Sequence, residues 1–194
     1  MSDSEPIPGT AASAAPEQSS EIRPPTLSPF SLETDRLRLR HLTIDDAAFI
    51  LELLNEPAFI RYVADRNIRT VKDAAAYIRE KIISSYQLHG FGFYLVATKA
   101  DGASLGICGF IKRETLNDVD IGFAFLEHAW GQGYAFEAAT AVMAYGTGEL
   151  GLPRVVAVTS PQNRASIALL QKLGLKFTKM IQLPGYRAET KFFA

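Results

Sequence analysis

The chain has 194 residues, 47% hydrophobic and 21% charged, an ordinary composition for one domain with a substantial core. Its formal net charge of −1 gives no broad attraction to nucleic acid or to an anionic membrane, and no apolar run nears membrane-spanning length. A single cysteine, Cys108, excludes an internal disulfide and fits a reducing compartment.

The first thirty residues stand apart. They hold Pro6, Pro8, Pro16, Pro24, Pro25 and Pro29 with Ser, Ala and Glu between them. Such a segment buries too little apolar surface to offset its ordering entropy, so residues 1–30 are expected to be a flexible tail. They also lack the basic-then-apolar pattern of a secretion signal, and a cytoplasmic protein is the expectation. The folded domain is expected over 31–194.

Leu37, Leu39 and His41 alternate with Arg36, Arg38 and Arg40, the period-two pattern of a strand with one polar face. Thr43 with Asp46 reads as a helix cap, followed by an apolar stripe of Ala47, Ile50, Leu51 and Leu54. After a short segment bearing Pro57, Phe59, Arg61 and Tyr62, a second capped helix opens at Thr70 with Asp73. Ala76, Tyr77, Ile83 and Tyr86 lie along it. Beyond Gly90 the period changes. Strands are expected at 91–97, 105–112 and 119–125, separated by the turn signals Asp101-Gly102 and Asn117-Asp118 and joined as an antiparallel meander. Cys108 falls in the middle strand and reads as a small buried core residue rather than a nucleophile. A helix is expected from about 132 to 150, stopped by Gly151 and Pro153, then a strand at 155–159 and a helix at 165–173 stopped by Gly174. Two strands, 176–182 and 187–193, close the chain. The sum is an α/β (α+β) fold: a mixed sheet of about seven strands with helices on its faces.

The most informative stretch is Ile121 to Ala135, which runs from strand through a Gly-rich turn into a long helix. A helix N-terminus offers free N–H groups and a positive dipole end, a ready cradle for phosphate. Gly131 and Gly133 let that turn approach an anion, and Ala135 keeps the helix start open. The turn lacks the Gly-Lys-Ser/Thr of a nucleotide P-loop. It also follows a meander late in the chain rather than the first strand of a dinucleotide fold. Taken alone, a tight strand-to-helix turn explains it equally well.

A second constellation, Asn163-Arg164-Ala165-Ser166 with Leu173-Gly174, opens and closes the next helix. With Trp130-Gly131-Gln132-Gly133-Tyr134-Ala135 and Thr34-Asp35-Arg36-Leu37-Arg38-Leu39-Arg40, it resembles the GNAT superfamily of acetyl-CoA-dependent N-acetyltransferases. The closer similarity is to the branch that acetylates the N-termini of ribosomal and other proteins, and it covers 31–194.

The resemblance implies a GNAT-like, mostly antiparallel central sheet flanked by helices, with acetyl-CoA as donor. Backbone N–H groups of Trp130, Gly131, Gln132, Gly133, Tyr134 and Ala135 would hold the pyrophosphate. The superfamily prefers Gln or Arg where this chain has Trp130, whose ring reads better as an anchor of the turn. Phe123, Ala124 and Phe125 would pair by backbone with the pantetheine arm. Asn163 would bond the cofactor near its pantetheine amide, a role compatible with a plain helix cap.

The attacking amine must lose a proton. Asp120, where related enzymes often carry an acidic residue, is the candidate general base; the alternative is a surface carboxylate of the neighbouring turn. A backbone N–H at or near Phe125 is the candidate oxyanion donor. Many members place a Tyr seven residues after the Asn, but this chain has Leu170 there. Ser166 is therefore the candidate donor to the departing thiol, or a first-turn residue bonding locally. His41, His89 and His128 are not at ligand spacing, so no metal is expected and each reads as a surface or capping residue. Arg61, Tyr62 and Arg66, with Tyr186 and Arg187, are candidates for the acceptor approach.

The leading expectation is direct transfer, in a ternary complex, to a protein N-terminal amine. A small-amine acetyltransferase and a non-catalytic acetyl-CoA-binding module remain open, and a homodimer is implied by the resemblance only.

Overall fold

The structure, a computed structural model, describes residues 30–184 and 188–194. The proposed tail, apart from Phe30, and the two candidates Tyr186 and Arg187 lie outside the described residues.

Strands β1 (Ser31–Glu33) and β2 (Leu37–His41) form an antiparallel pair at one end of the sheet. Leu37 and Leu39 are fully buried while Arg38 points outward, as the alternation predicts. A 3-10 turn, Ile44–Asp46, leads into α1 (Ala47–Asn55), and Asp46 accepts the N–H of Thr43 at 2.8 Å. The short segment around Pro57 is itself helical, α2 (Pro57–Tyr62), with proline in its first turn, where its missing N–H costs nothing. Thr70 and Asp73 form the expected reciprocal cap of α3 (Val71–Tyr77).

The helix that begins there runs through a π-helical stretch, Ile78–Ile83, into α4 (Ser84–His89). Its buried residues are Ala74, Ile78, Ile82 and Tyr86; of the expected Ala76, Tyr77, Ile83 and Tyr86, only Tyr86 is among them. Residues four apart drift by about 40° per step around a regular α-helix. The wider π turns unwind that drift and keep all four on one buried face. At the far end the Tyr86 hydroxyl accepts the N–H of Leu42 and donates to the carbonyl of Phe93, tying α4 to both flanking strands.

The meander follows: β3 (Phe93–Thr98), β4 (Ser104–Ile111) and β5 (Val119–Phe125), all antiparallel. Helix α5 (Tyr134–Gly148), strand β6 (Val155–Thr159), helix α6 (Arg164–Lys172) and strands β7 (Phe177–Ile181) and β8 (Thr190–Phe193) complete the chain. The sheet has eight strands in the order β1-β2-β3-β4-β5-β6-β8-β7. The strand beyond the expected seven is β1. β4 is buried over its six central residues, and Cys108 among them is fully buried.

His41 corrects a sequence expectation. It is half-buried, not a surface residue, and its ring lies against Tyr86 and Phe30. Burial lowers its pKa, so it is held neutral.

The feature that positions the site is the only parallel pair in the described sheet. β5 and β6 pair at just two positions, Val119 with Val155 and Asp120 with Val156. Beyond them the strands part, and the rest of β5 has a partner only on its β4 side.

Candidate active site

The parting of β5 and β6 opens a cleft through the sheet. Two cavities, of about 420 and 860 Å³, meet in it. They share Phe59, Tyr62, Phe123, Ala124, Asn163 and Ser166 as walls. Asp120 and Leu170 line the smaller one; Phe125, Trp130, Gly131, Gly133, Tyr134 and Ala135 line the larger. The expected residues from β5, the Gly-rich turn and α6 are thus gathered around one cleft, except Gln132, which lines neither cavity. The Trp130 N–H, expected to face a phosphate, instead donates to the Glu127 carbonyl at 3.0 Å.

The Gly-rich turn has the backbone that the sequence requires. Gly131 (φ 72°) and Gly133 (φ 84°) both adopt left-handed conformations, which glycine alone takes at little cost. A Cβ at Gly131 would meet nothing within 4 Å, so its backbone faces open space. Gly133 caps α5, whose first N–H groups have no intrahelical partners. Aligned with the helix dipole, they form an anion cradle.

A clamp that sequence reasoning did not foresee holds this turn. Glu137, in the first turn of α5, accepts from the Thr34 hydroxyl at 2.5 Å, the Arg36 N–H at 3.0 Å and the Arg36 guanidinium at 2.7 Å. The same guanidinium donates to the Gln132 carbonyl at 3.1 Å and lies 4.5 Å over the Tyr134 ring. Burial raises the Glu137 pKa, but these donors outweigh it and the net direction is down. Glu137 is therefore an ionised, neutralised carboxylate beside an anion cradle. The signal was the Thr34-Asp35-Arg36 run, whose partner is about a hundred residues away in sequence. The Gln132 side chain turns back to the His128 carbonyl, at 2.8 Å, and away from the cleft.

Trp130 is half exposed (49%), and its indole N–H donates to the Phe125 carbonyl at 2.8 Å. It anchors the turn to the strand end. Leu126 donates its N–H to Leu105, on the β4 side. Because backbone groups alternate along a strand, Phe123 and Phe125 turn theirs to the cleft. A free strand edge of this kind accepts an extended, amide-bearing chain.

Asn163 caps α6, its Oδ1 accepting the Ser166 N–H at 3.0 Å. Its amide NH₂ has no partner among the described residues and remains as a donor at the junction of the cavities. The Ser166 hydroxyl stands at the same junction, one turn before buried Leu170.

Asp120 is 1% exposed, so the surface-carboxylate reading falls. Its Oδ2 accepts from Arg113 Nε at 2.6 Å and its Oδ1 from the Val158 N–H at 3.3 Å. Burial raises its pKa, the Arg113 charge and hydrogen bond oppose, and the result is about 6. Arg113 was not singled out from sequence. It sits in the β4–β5 connection, where the register Ile111↔Asp120 brings it diagonally to Asp120.

Arg61 and Tyr62 stack at 5.1 Å on α2. Tyr62 lines both cavities, Arg61 the larger and Arg66 the smaller. Among the described residues, no helix is long and apolar enough to cross a membrane.

Comparison with known proteins agrees with this geometry. The family model described as an acetyltransferase (GNAT) domain matches residues 36–176. The uncharacterised Bacillus subtilis (strain 168) protein YkkB is 31% identical over 155 residues, 78% of this chain and 88% of the relative. The same organism's uncharacterised N-acetyltransferase YoaA is 28% identical over 163 residues, 83% and 91% of the two chains. Among solved structures, RimL, a ribosomal L7/L12 alpha-N-protein acetyltransferase in complex with coenzyme A, has a TM-score of 0.72. It shares 17% identity and covers 84% of this chain and 96% of its own, which speaks for the fold. Fold, cleft and family model converge: the chain belongs to the GNAT family and is an N-acetyltransferase.

Proposed function

We propose that this enzyme transfers the acetyl group of acetyl-CoA to the N-terminal α-amine of a protein, by direct attack with both substrates bound. The observation that carries the reading is the cleft with two entrances, whose cavities meet at Ala124 and Ser166. A donor lying on the Gly-rich turn and an acceptor entering from the α2–α4 side would come face to face there. Cys108 offers no covalent route: it is fully buried and burial pushes its thiol pKa up.

The residues present fit acetyl-CoA. The turn from Gly131 to Ala135 presents N–H groups to a pyrophosphate, the Trp130 N–H being taken by the Glu127 carbonyl. The cleft-facing backbone of Phe123 pairs with an amide-bearing arm, since Ala124 faces β4 and the Phe125 carbonyl is held by Trp130; and the Asn163 NH₂ donates to that arm. Bound acetyl-CoA supplies an activated thioester. Asp120 draws a proton from the acceptor amine, through water because its Oδ2 is held by Arg113. The Phe125 N–H, on the cleft edge of β5, donates to the carbonyl oxygen as charge develops there. The Ser166 hydroxyl donates to the departing sulfur. A protein N-terminus as acceptor is supported by the likeness to RimL and by the motifs of the N-terminal acetylating branch.

The test is thiol release from acetyl-CoA with a panel of N-terminal peptides, polyamines and aminoglycosides, followed by mass spectrometry of the products. Peptide-dependent release with α-N-acetylated product is expected. Release with polyamines or aminoglycosides alone would move the enzyme to the small-amine class. Binding of acetyl-CoA without release to any amine would leave a binding module.

A further inference from the structure

The acceptor half of the cleft has its own charge pattern, distinct from the phosphate cradle. Its walls carry four cations, Arg66, Lys81, Lys112 and Arg113, and two carboxylates, Glu80 and Asp120, an excess of two positive charges on a chain whose formal net charge is −1. The two buried or tied groups do not change the sign. Asp120 is matched by Arg113. The Lys112 ammonium rests on the neutral carbonyls of Leu116 and Asn117, at 3.4 and 2.7 Å, rather than on a carboxylate. Arg66 and Lys81 have no ion-pair partner among the described residues, and both side chains are exposed at the mouth. Phosphates of the donor do not account for these cations, because the cradle at Gly131 and Gly133 opens on the other cavity.

We propose that the acceptor is an amine flanked by anionic groups, an N-terminal segment with acidic residues close behind its α-amine, received by Arg66 and Lys81. This rests on the reading of the cleft as a donor–acceptor site. A polycationic amine meets the opposite field: its first amine meets Asp120 as an α-amine does, but its further charges face Arg66, Lys81 and Lys112 with Glu80 as the one carboxylate beside them among the described lining residues. Like charges set side by side are an effective means of rejecting a wrong substrate. An acidic segment gains at both positions.

The experiment uses the full chain and three N-terminal peptides of equal length and identical first residue. Residues two to four are Glu, Gln or Lys, and kcat/KM is read by thiol release at low and high salt. Free glutamate and spermidine complete the panel. An exposed ion pair shifts an equilibrium by about two- to fivefold, so the Glu peptide should exceed the Lys peptide by about tenfold, and the ratio should shrink at high salt. In the double variant Arg66→Glu, Lys81→Glu the order should reverse, with calorimetry of acetyl-CoA binding reporting that the variant is folded and its donor half intact. Equal rates for the Glu and Lys peptides, a preference for spermidine, or an order unchanged in the folded double variant would overturn the inference while leaving peptide acetylation standing. Release with free glutamate but with no peptide would retain the charge preference and remove the protein acceptor. Failure of every amine would remove both.

Discussion

At Asp120, burial and Arg113 pull in opposite directions, and the balance sets what the residue can do. A surface aspartate is too weak a base to share an amine's proton; with its pKa pushed up to about 6, Asp120 is ionised at neutral pH and a far better acceptor. The kcat/KM profile should therefore rise through about pH 6 as Asp120 loses its proton, with a second rise near pH 8 as the acceptor α-amine does. The stability consequence has the opposite sign. Between the ordinary carboxylate value of 3.8 and about 6, the folded state holds a proton that the unfolded state lacks. Stability from this group is then fullest below 3.8 and falls as pH rises to about 6, by on the order of 3 kcal/mol. Asp120→Asn keeps the shape and a hydrogen-bond acceptor for Arg113. Loss of a general base predicts kcat lower by roughly 10²-fold or more, with acetyl-CoA affinity kept. A retained kcat with a lowered melting temperature would make Asp120 only the counter-ion of Arg113.

Helix α5 is the element on which donor binding would depend in the proposed mode, and its first turn is held from across the sheet. Glu137 lies close to where a pyrophosphate would sit, and Arg36 both cancels its charge and draws on the Gln132 carbonyl. Arg36→Ala exposes that carboxylate to the anion and should raise the KM for acetyl-CoA by about tenfold, with kcat nearly unchanged. The double variant Arg36→Ala, Glu137→Ala removes the repulsion as well as the brace, and should recover part of the loss. Steady-state kinetics of both variants check this; a double variant no better than the single one would make the clamp purely structural. At this scale the legibility of the sequence varied. The Thr70–Asp73 cap, the meander and the Gly-rich turn before α5 were readable, because each is written in local spacing. β1 was not, because three residues in the burial pattern exposed, intermediate, exposed are too few to show a period. The buried stripe of the second helix was misplaced because a π-helical stretch alters the spacing that periodicity assumes.

Among the described residues the sheet has one parallel seam, between β5 and β6, and ligands entering it should stabilise the fold. The two strand blocks join through the β5–β6 contact at two residue pairs, and an extended donor along the free edge of β5 adds a partner where β6 has departed. A ligand at 100 times its Kd stabilises by about 2.7 kcal/mol, which for a chain of this size is a rise of roughly 5–10 °C in melting temperature. Thermal denaturation with and without acetyl-CoA measures it, and no shift at saturating concentration would remove acetyl-CoA as the donor.

Local pattern determined the order and type of most elements, β1, α2 and the π-helical stretch excepted, and the glycines of the turn, because strand period, helix period and left-handed backbone are properties of neighbouring residues. The motifs around Gly131, Gly133 and Asn163 carried the family for the same reason: their spacing survives without knowledge of the fold. Tertiary structure alone decided the environment of Asp120, since burial and the pairing with Arg113 depend on how β4, β5 and β6 come together. It alone brought Thr34 and Arg36 to Glu137, and it alone collected Arg66 and Lys81 at one mouth. Charges act through space, and chain distance does not report which of them will face one another.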